Sequence, residues 1–247
     1  SHDDSDHVYN TPRAWYMARC LNPSTMNWDG PDADFTPLSD DIPWCMVPEK
    51  KVTIEDVKYV LSSHFQGTPY DPYASYGDKS MKGAYRAIGV NRTDFLGIIQ
   101  MRPDAGEDSR AIEWVAFASN VFNTAVPFYT DVEKVPEYFS NTTGDASTDN
   151  FYWASRMIAA MADASYSKSI FHIERYQERV MSKGHEYINQ YDELLSKESN
   201  AEERMQLRQE ANEKIADMVK KETQDTLNKV LYELSNQMKN AYSRSDA

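Results

Sequence analysis

The sequence predicts an α+β protein, and three observations carry that prediction. Two β-rich apolar runs, Phe95 to Met101 and Ala111 to Ser119, flank a polar loop, Pro103 to Arg110, that contains Gly106; the pattern reads as an antiparallel hairpin. Earlier in the chain, Thr53 heads a short helical pattern with Glu55 and Asp56 in its first turn. From Asn150 onward the apolar residues change to three- and four-residue spacing and keep it almost to the C-terminus. The expected organisation is a mixed region, residues 1–149, followed by a helical region, residues 150–247, packed on it.

Composition narrows the function classes. The 247 residues could bury one large core or two smaller ones. A net charge of −13 argues against nucleic acid as a partner, because affinity for phosphates comes from clustered Lys and Arg. That charge either draws in cationic substrates or serves solubility. No apolar run reaches the roughly 18 residues of a membrane span, so no membrane partner is expected. Cys20 and Cys45 are too few for a disulfide scaffold or a zinc site, and read as small buried filler in a reducing compartment. His185-Glu186 lacks the second histidine of a zinc-protease helix, with Asn189 in its place. No metal and no cofactor is expected.

Taken in order, Ser1 to His7 holds two histidines and three aspartates, either a divalent-cation site or an exposed terminus too costly to order. Val8 to Asn10 reads as the end of a strand, and Thr11-Pro12 as a helix start, a cap hydroxyl followed by proline. Asn10 then stands at a strand-to-helix corner, where its amide either donates to an oxyanion or closes an Asx turn. Leu21 to Asp41 is an irregular connection anchored by Trp28 and Phe35. Ile42 to Val47 is an edge strand or extended segment limited by Pro43 and Pro48.

In the helix after Thr53, Val57, Val60, Leu61 and His64 share one face, and the helix is expected to end at Gly67, ahead of Pro69. His64 reads as a hydrogen-bonded packing residue. The following loop, with Tyr70, Tyr73, Tyr76 and Tyr85, is too aromatic for a solvated linker and reads as one wall of an active site. Arg92 enters the strand beside it. Its fork of donors either holds a carboxylate or carbonyl or pairs with Asp94 or Asp71. Arg13 and then Arg86 are the next arginines to consider. Val126 to Tyr129 reads as a strand for a substrate channel or for packing, and Tyr138 to Asp149 as a solvated loop. The helical series starts at Phe151, breaks near Asp163 to Ser169, runs through Leu195, and resumes after Ser199-Asn200 as far as Met238. Its drifting spacing predicts an antiparallel helical hairpin that packs on the rest or forms a homo-oligomer contact.

These stretches together resemble a known family. The run VKYVLSSHFQGTPYDPY from Val57 to Tyr73 and the turn Gly89-Val90-Asn91-Arg92-Thr93 carry the likeness, with Tyr9 to Tyr16 upstream and Ile112 to Phe117 and Val126 to Tyr129 downstream. They are similar to the bacterial dipeptidases of the dipeptidase A type, which belong to the N-terminal-nucleophile hydrolases. The resemblance covers most of the chain to about Ala164. It implies a four-layer αββα sandwich, a dipeptide substrate, and a cysteine-type peptidase of the bacterial cytoplasm. It also implies an N-terminal cysteine nucleophile whose own α-amine is the base. Related penicillin V acylases and bile salt hydrolases have an Asn-x-Pro corner that helps form the oxyanion hole, which assigns that role to Asn10. A comparably placed arginine in those relatives lies beside the nucleophile, which gives Arg92 a positioning role. Arg13, Tyr70 and Tyr73 are then expected to bind substrate.

The sequence begins Ser1-His2-Asp3-Asp4, and its phrases match the second half of a pattern roughly twice as long. The expectation is a fragment of a dipeptidase, inactive alone, whose nucleophile belongs to a missing N-terminal half that would be its partner. Cys20 and Cys45 cannot replace that nucleophile, since the mechanism needs the α-amine on the same residue. Ser1 as a self-exposed nucleophile is an alternative within the same mechanism. The competing class is a non-catalytic interaction module built around the acidic helical hairpin.

Overall fold

The computed structural model describes residues 5–240. It divides into two compact units, Ser1–Asn91 and Arg92–Ala247. The change of character at position 149/150 lies inside the second unit, at the start of a helix.

Among the described residues the first unit contains three helices, α1 (Asp6–Tyr9), α2 (Thr11–Leu21) and α3 (Ile54–Leu61), joined by irregular segments. Pro12 sits in the first turn of α2, where its missing N–H has no intrahelical partner to lose. That helix buries Trp15 and Tyr16, which join Trp28 and Phe65 in an aromatic core. Trp28 is an anchor of the long connection, as expected, with its indole N–H donating to the Asn22 carbonyl at 2.8 Å. Helix α3 starts as the sequence predicts: the Asp56 N–H donates to the Thr53 hydroxyl at 3.1 Å, and the Thr53 N–H to the Asp56 carboxylate at 3.0 Å.

Several local expectations are corrected here. Val8 and Tyr9 are helical, not the end of a strand, so Asn10 separates two helices. The Val8 carbonyl accepts from the Arg86 N–H at 3.1 Å, a single contact where a strand would need a ladder. Helix α3 ends at Leu61, not at Gly67; Gly67 does take positive φ, +78°, in the turn beyond. The buried face of α3 is Ile54, Lys58 and Val60, a rotation from the predicted one that takes a lysine inward. Cys45 is exposed, so only Cys20 is even half-buried.

The second unit is built on a sheet of order β1 (Phe95–Met101), β2 (Ala111–Phe117) and β3 (Val126–Tyr129), antiparallel throughout. The predicted hairpin pairs Phe95 with Phe117 and Met101 with Ala111, and its loop holds a 3-10 turn at Glu107–Ser109. Alternation along the strands gives the sheet two faces. One carries Ile112, Trp114 and Tyr129, all buried. The other carries Phe95, Ile99 and Met101 of β1, at 55%, 72% and 62% exposure, beside Glu113, Val115, Phe117 and Phe128.

Four helices follow: α4 (Glu137–Ser140), α5 (Phe151–Ala164), α6 (Tyr166–Lys197) and α7 (Ala201–Ser235). Residues 137–140 are thus helical within the expected loop, because Tyr138 and Phe139 are packed on Phe151. Asn150 caps α5, Ser165 alone separates α5 from α6, and Asn200 caps α7 through the N–H groups of Glu202 and Glu203. Helices α6 and α7 form the predicted antiparallel hairpin, as the cross-links Tyr176 to Thr223 and His172 to Glu233 show.

Packing of this hairpin on the sheet depends on polar side chains. The Asn212 amide accepts from the Tyr129 N–H at 2.9 Å and donates to the Tyr129 carbonyl at 3.0 Å, continuing the β3 edge as a strand would. The Tyr129 hydroxyl donates to Asp192 at 2.8 Å, and Arg102 pairs with the same carboxylate. Asp108, in the hairpin loop, holds both Arg204 and Arg208 of α7. The architecture is α+β. Among the described residues there is one sheet, and the second layer of strands implied by the resemblance is not part of it.

Candidate functional site

The residues singled out from the sequence fall in both units, and each unit is described on its own. In the first, the junction of α1 and α2 gathers polar groups around Tyr9. Arg13 lies one helical turn beyond Asn10, so its guanidinium folds back: Nη2 donates to Asn10 Oδ1 at 2.5 Å, and Nε donates to the Tyr9 carbonyl. Asn10 makes no side-chain cap to the α2 backbone, so a capping turn does not account for it. Arg86 comes to the same place from the far end of the tyrosine loop, its guanidinium carbon 5.7 Å from the centre of the Tyr9 ring. Burial lowers the pKa of Arg13, and the charge of Arg86 lowers it further.

A second polar group lies beyond α3. His64 Nδ1 is 2.9 Å from Asp71 Oδ1, and the imidazole and carboxylate are both nearly buried. The same oxygen accepts from the Tyr73 N–H at 2.9 Å, and the Tyr73 ring meets His64 edge-on at 5.1 Å. Between them, Phe65 is wholly buried with φ +65°, a conformation costly for an aromatic residue, of order 1–3 kcal/mol. Its carbonyl accepts from both the N–H and the hydroxyl of Thr68, at 3.1 and 2.7 Å. His64 is thus a hydrogen-bonded residue of the interior, as the sequence suggests. Tyr70 packs edge-on against Trp15 at 6.1 Å and lies 4.7 Å from the Tyr85 ring, so much of the tyrosine loop is core rather than open wall.

Arg92 opens the second unit and is exposed. Among the described residues it forms no ion pair; Asp94 is taken by Arg156 at 2.8 Å and Asp71 by His64. The structural pairings considered for Arg92 are therefore not made. The structure brings Asn10 and Arg13 into direct contact, places Tyr70 and Tyr73 in the same unit, and puts Arg92 in the other.

Two features escaped sequence reasoning. Lys58 is buried, with Nζ donating to the Ser62 hydroxyl at 2.6 Å, and desolvation lowers its pKa to about 7. Its four-residue spacing from Ile54 was the available signal. The pairing of His64 with Asp71 had no local signal, since the two lie seven positions apart across a turn. Among the described residues no group of three His, Cys, Asp or Glu side chains could hold a metal ion. His7 of the N-terminal stretch is bonded to Asp40 at 2.8 Å, while Ser1 to Asp4 lie outside the described residues. No helix among the described residues is long and apolar enough to cross a membrane.

Comparison with known proteins gives a consistent result. The model of peptidase family C69 matches residues 1–179. A protein named dipeptidase from Bifidobacterium longum is 45% identical over 283 aligned positions, covering 100% of this chain and 53% of the relative. A probable dipeptidase A from Streptococcus pyogenes serotype M18 is 45% identical, over 100% of this chain and 49% of its own length. Dipeptidase A of Lactobacillus helveticus is 31% identical over 92% of this chain and 46% of its own length. The chain thus spans about half the length of the curated relatives it matches.

Proposed function

The chain belongs to peptidase family C69, and from that premise we propose that it is part of a dipeptidase, a hydrolase that cleaves dipeptides by cysteine-type N-terminal-nucleophile chemistry. The observation that carries this reading is identity of 45% to a dipeptidase along the whole chain. In the proposed mechanism an α-amine takes the proton of the thiol beside it, the thiolate attacks the dipeptide carbonyl, and water releases the acyl group. Asn10 donates to the tetrahedral oxyanion, and Arg92 positions substrate or nucleophile. Tyr70 and Tyr73 shape the substrate side, and Arg13 holds the Asn10 amide. The attacking sulfur is supplied by polypeptide outside these 247 residues. Two free cysteines and bacterial relatives suit the reducing cytoplasm of a bacterium.

The open face of the sheet supports the proposal that more polypeptide completes the fold. Phe95, Ile99 and Met101 lie exposed on an edge strand that is unpaired among the described residues and has neither lysine nor proline to protect it. A second sheet laid on that face would bury them as an αββα sandwich requires.

The test is hydrolysis of a dipeptide panel by the 247-residue chain and by the intact product of its gene. The intact product is expected to cleave dipeptides and to lose activity on thiol alkylation, while the chain alone is silent. Turnover by the chain alone that survives both Ser1 blockage and alkylation of Cys20 and Cys45 refutes the mechanism. An intact product that cleaves no dipeptide refutes the function.

A further inference from the structure

We propose that Arg13 and Arg86 form a clamp for the free C-terminal carboxylate of the substrate, so that this corner restricts cleavage to the bond one residue from the chain end. The inference rests on the dipeptidase reading for the identity of its ligand, but the clamp itself is argued from geometry. Both guanidinium groups are fixed around Tyr9 by neutral partners. Arg13 donates to the Tyr9 carbonyl and to Asn10 Oδ1, and Arg86 lies over the Tyr9 ring while its N–H holds the Val8 carbonyl. Among the described residues neither has an acidic partner. Seven arginines, Arg19, Arg102, Arg156, Arg175, Arg179, Arg204 and Arg208, each pair with a carboxylate; Arg92 and Arg110 form no ion pair among the described residues, but only Arg13 and Arg86 meet around one residue, Tyr9.

The chain has 39 acidic and 26 basic residues, yet among the described residues no carboxylate pairs with either of these two cations. Their mutual repulsion, which contributes to the lowered pKa of Arg13, is relieved by an anion placed between them. The N-terminus of α2 adds to the positive potential, for its first turn contains no acidic residue.

The spacing argues for a dipeptide in particular. The C-terminal carboxylate of a dipeptide and its scissile carbonyl are separated by one residue, about 3.5 Å along an extended chain. Arg13 and the amide proposed to hold the oxyanion are themselves in contact, at 2.5 Å. Adjacent groups on the protein thus face adjacent groups on the substrate. A peptide amide offers no charge to the clamp, and a carbonyl further from the chain end is out of register with Asn10.

The test is an NMR titration of the 247-residue chain, following the arginine Nε–H signals, with alanyl-alanine, alanyl-alanine amide and inorganic phosphate. The Arg13 and Arg86 signals should move with the dipeptide, which should bind roughly 10- to 100-fold more tightly than its amide, the scale of lost charge-assisted hydrogen bonds. Arg86→Ala should erase that difference, and Arg86→Lys should restore part of it. Equal response to acid and amide, no response to either, or tighter binding of phosphate than of dipeptide overturns the clamp. The function is read separately: selective binding of the acid with no hydrolysis by the intact gene product sinks the dipeptidase reading and leaves the carboxylate site standing.

Discussion

Replacing Asn212 with alanine should weaken the second unit far more than loss of one small polar side chain suggests. Asn212 is 1% exposed, and its amide satisfies both backbone groups of Tyr129 on the outer edge of β3. Alanine would leave that N–H and C=O without partners in a site closed to water. Each such group costs about 1–3 kcal/mol, so the two together cost about 2–6 kcal/mol before any cavity is counted. Aspartate is no rescue: it could still accept from the N–H, but it would set a buried charge against the carbonyl oxygen. Hydrogen exchange isolates the effect, because the Tyr129 amide reports this bond locally while urea unfolding reports the whole unit. The expected result is loss of Tyr129 protection with a lower urea midpoint in Asn212→Ala. Protection within a factor of about two of wild type, with stability changed by less than about 0.5 kcal/mol, would refute the account of β3 as an edge completed by a side chain.

Three further predictions follow from the same structure. Lys58 has a folded pKa of about 7, well below its ordinary value of 10.5, so the unfolded chain binds more protons between those limits and stability should rise with pH across that window. Lys58→Met should raise the melting temperature at pH 7 and flatten the slope; an unchanged slope would show that another group titrates. Gly184→Ala should destabilise despite alanine's helix preference of about 1 kcal/mol, because a Cβ there would come within 2.8 Å of two ring carbons of Pro127, and overpacking costs about 1–3 kcal/mol. A rise in the urea midpoint would count against that packing. Asp108→Asn should cost about 2–4 kcal/mol by stripping a carboxylate from Arg204 and the buried Arg208. Its carboxyl pKa is lowered chiefly by the hydrogen bond from Arg204, so wild-type stability from this source is present above the ordinary carboxyl pKa and lost as pH falls through the depressed one. The variant should show less acid sensitivity, measured as melting temperature between pH 5 and pH 2.

How far the sequence was legible depended on the range over which each feature is encoded. The β1–β2 hairpin, the Thr53 cap and the helices after Asn150 are written in neighbouring residues, through alternation, capping chemistry and helical spacing, and all are present. Helices of four residues, Asp6–Tyr9 and Glu137–Ser140, are too short to have a period, and both were misread. On α3 the inward turn of Lys58 broke the assumption that charge marks the outer face. The α6–α7 interior was harder still. Leu231 is 52% exposed while Arg208, Asn212 and Thr223 are buried, because their partners are Asp108, Tyr129 and Tyr176. Those partners lie 47 to 100 residues away, beyond the reach of any local pattern. The candidate site divides the same way: Asn10 and Arg13 are one helical turn apart and readable together, whereas only the fold brings Arg86 to Tyr9.

The polar clamps also make the second unit asymmetric, and that asymmetry bears on function. On the β3 side, Asn212 completes the strand edge, Tyr129 is tied to Asp192, and Arg208 reaches the Asp131 carbonyl just beyond the strand. Among the described residues β1 has no strand partner on its outer edge, and its exposed face is apolar at Phe95, Ile99 and Met101. One edge is closed by specific hydrogen bonds and the other is left as a surface for burial. A sheet meant to stand alone would protect both edges, with charge, proline or a covering helix. The closed side is held by side chains of this unit, whereas the apolar face at Phe95, Ile99 and Met101 is the surface that the proposed sandwich would bury.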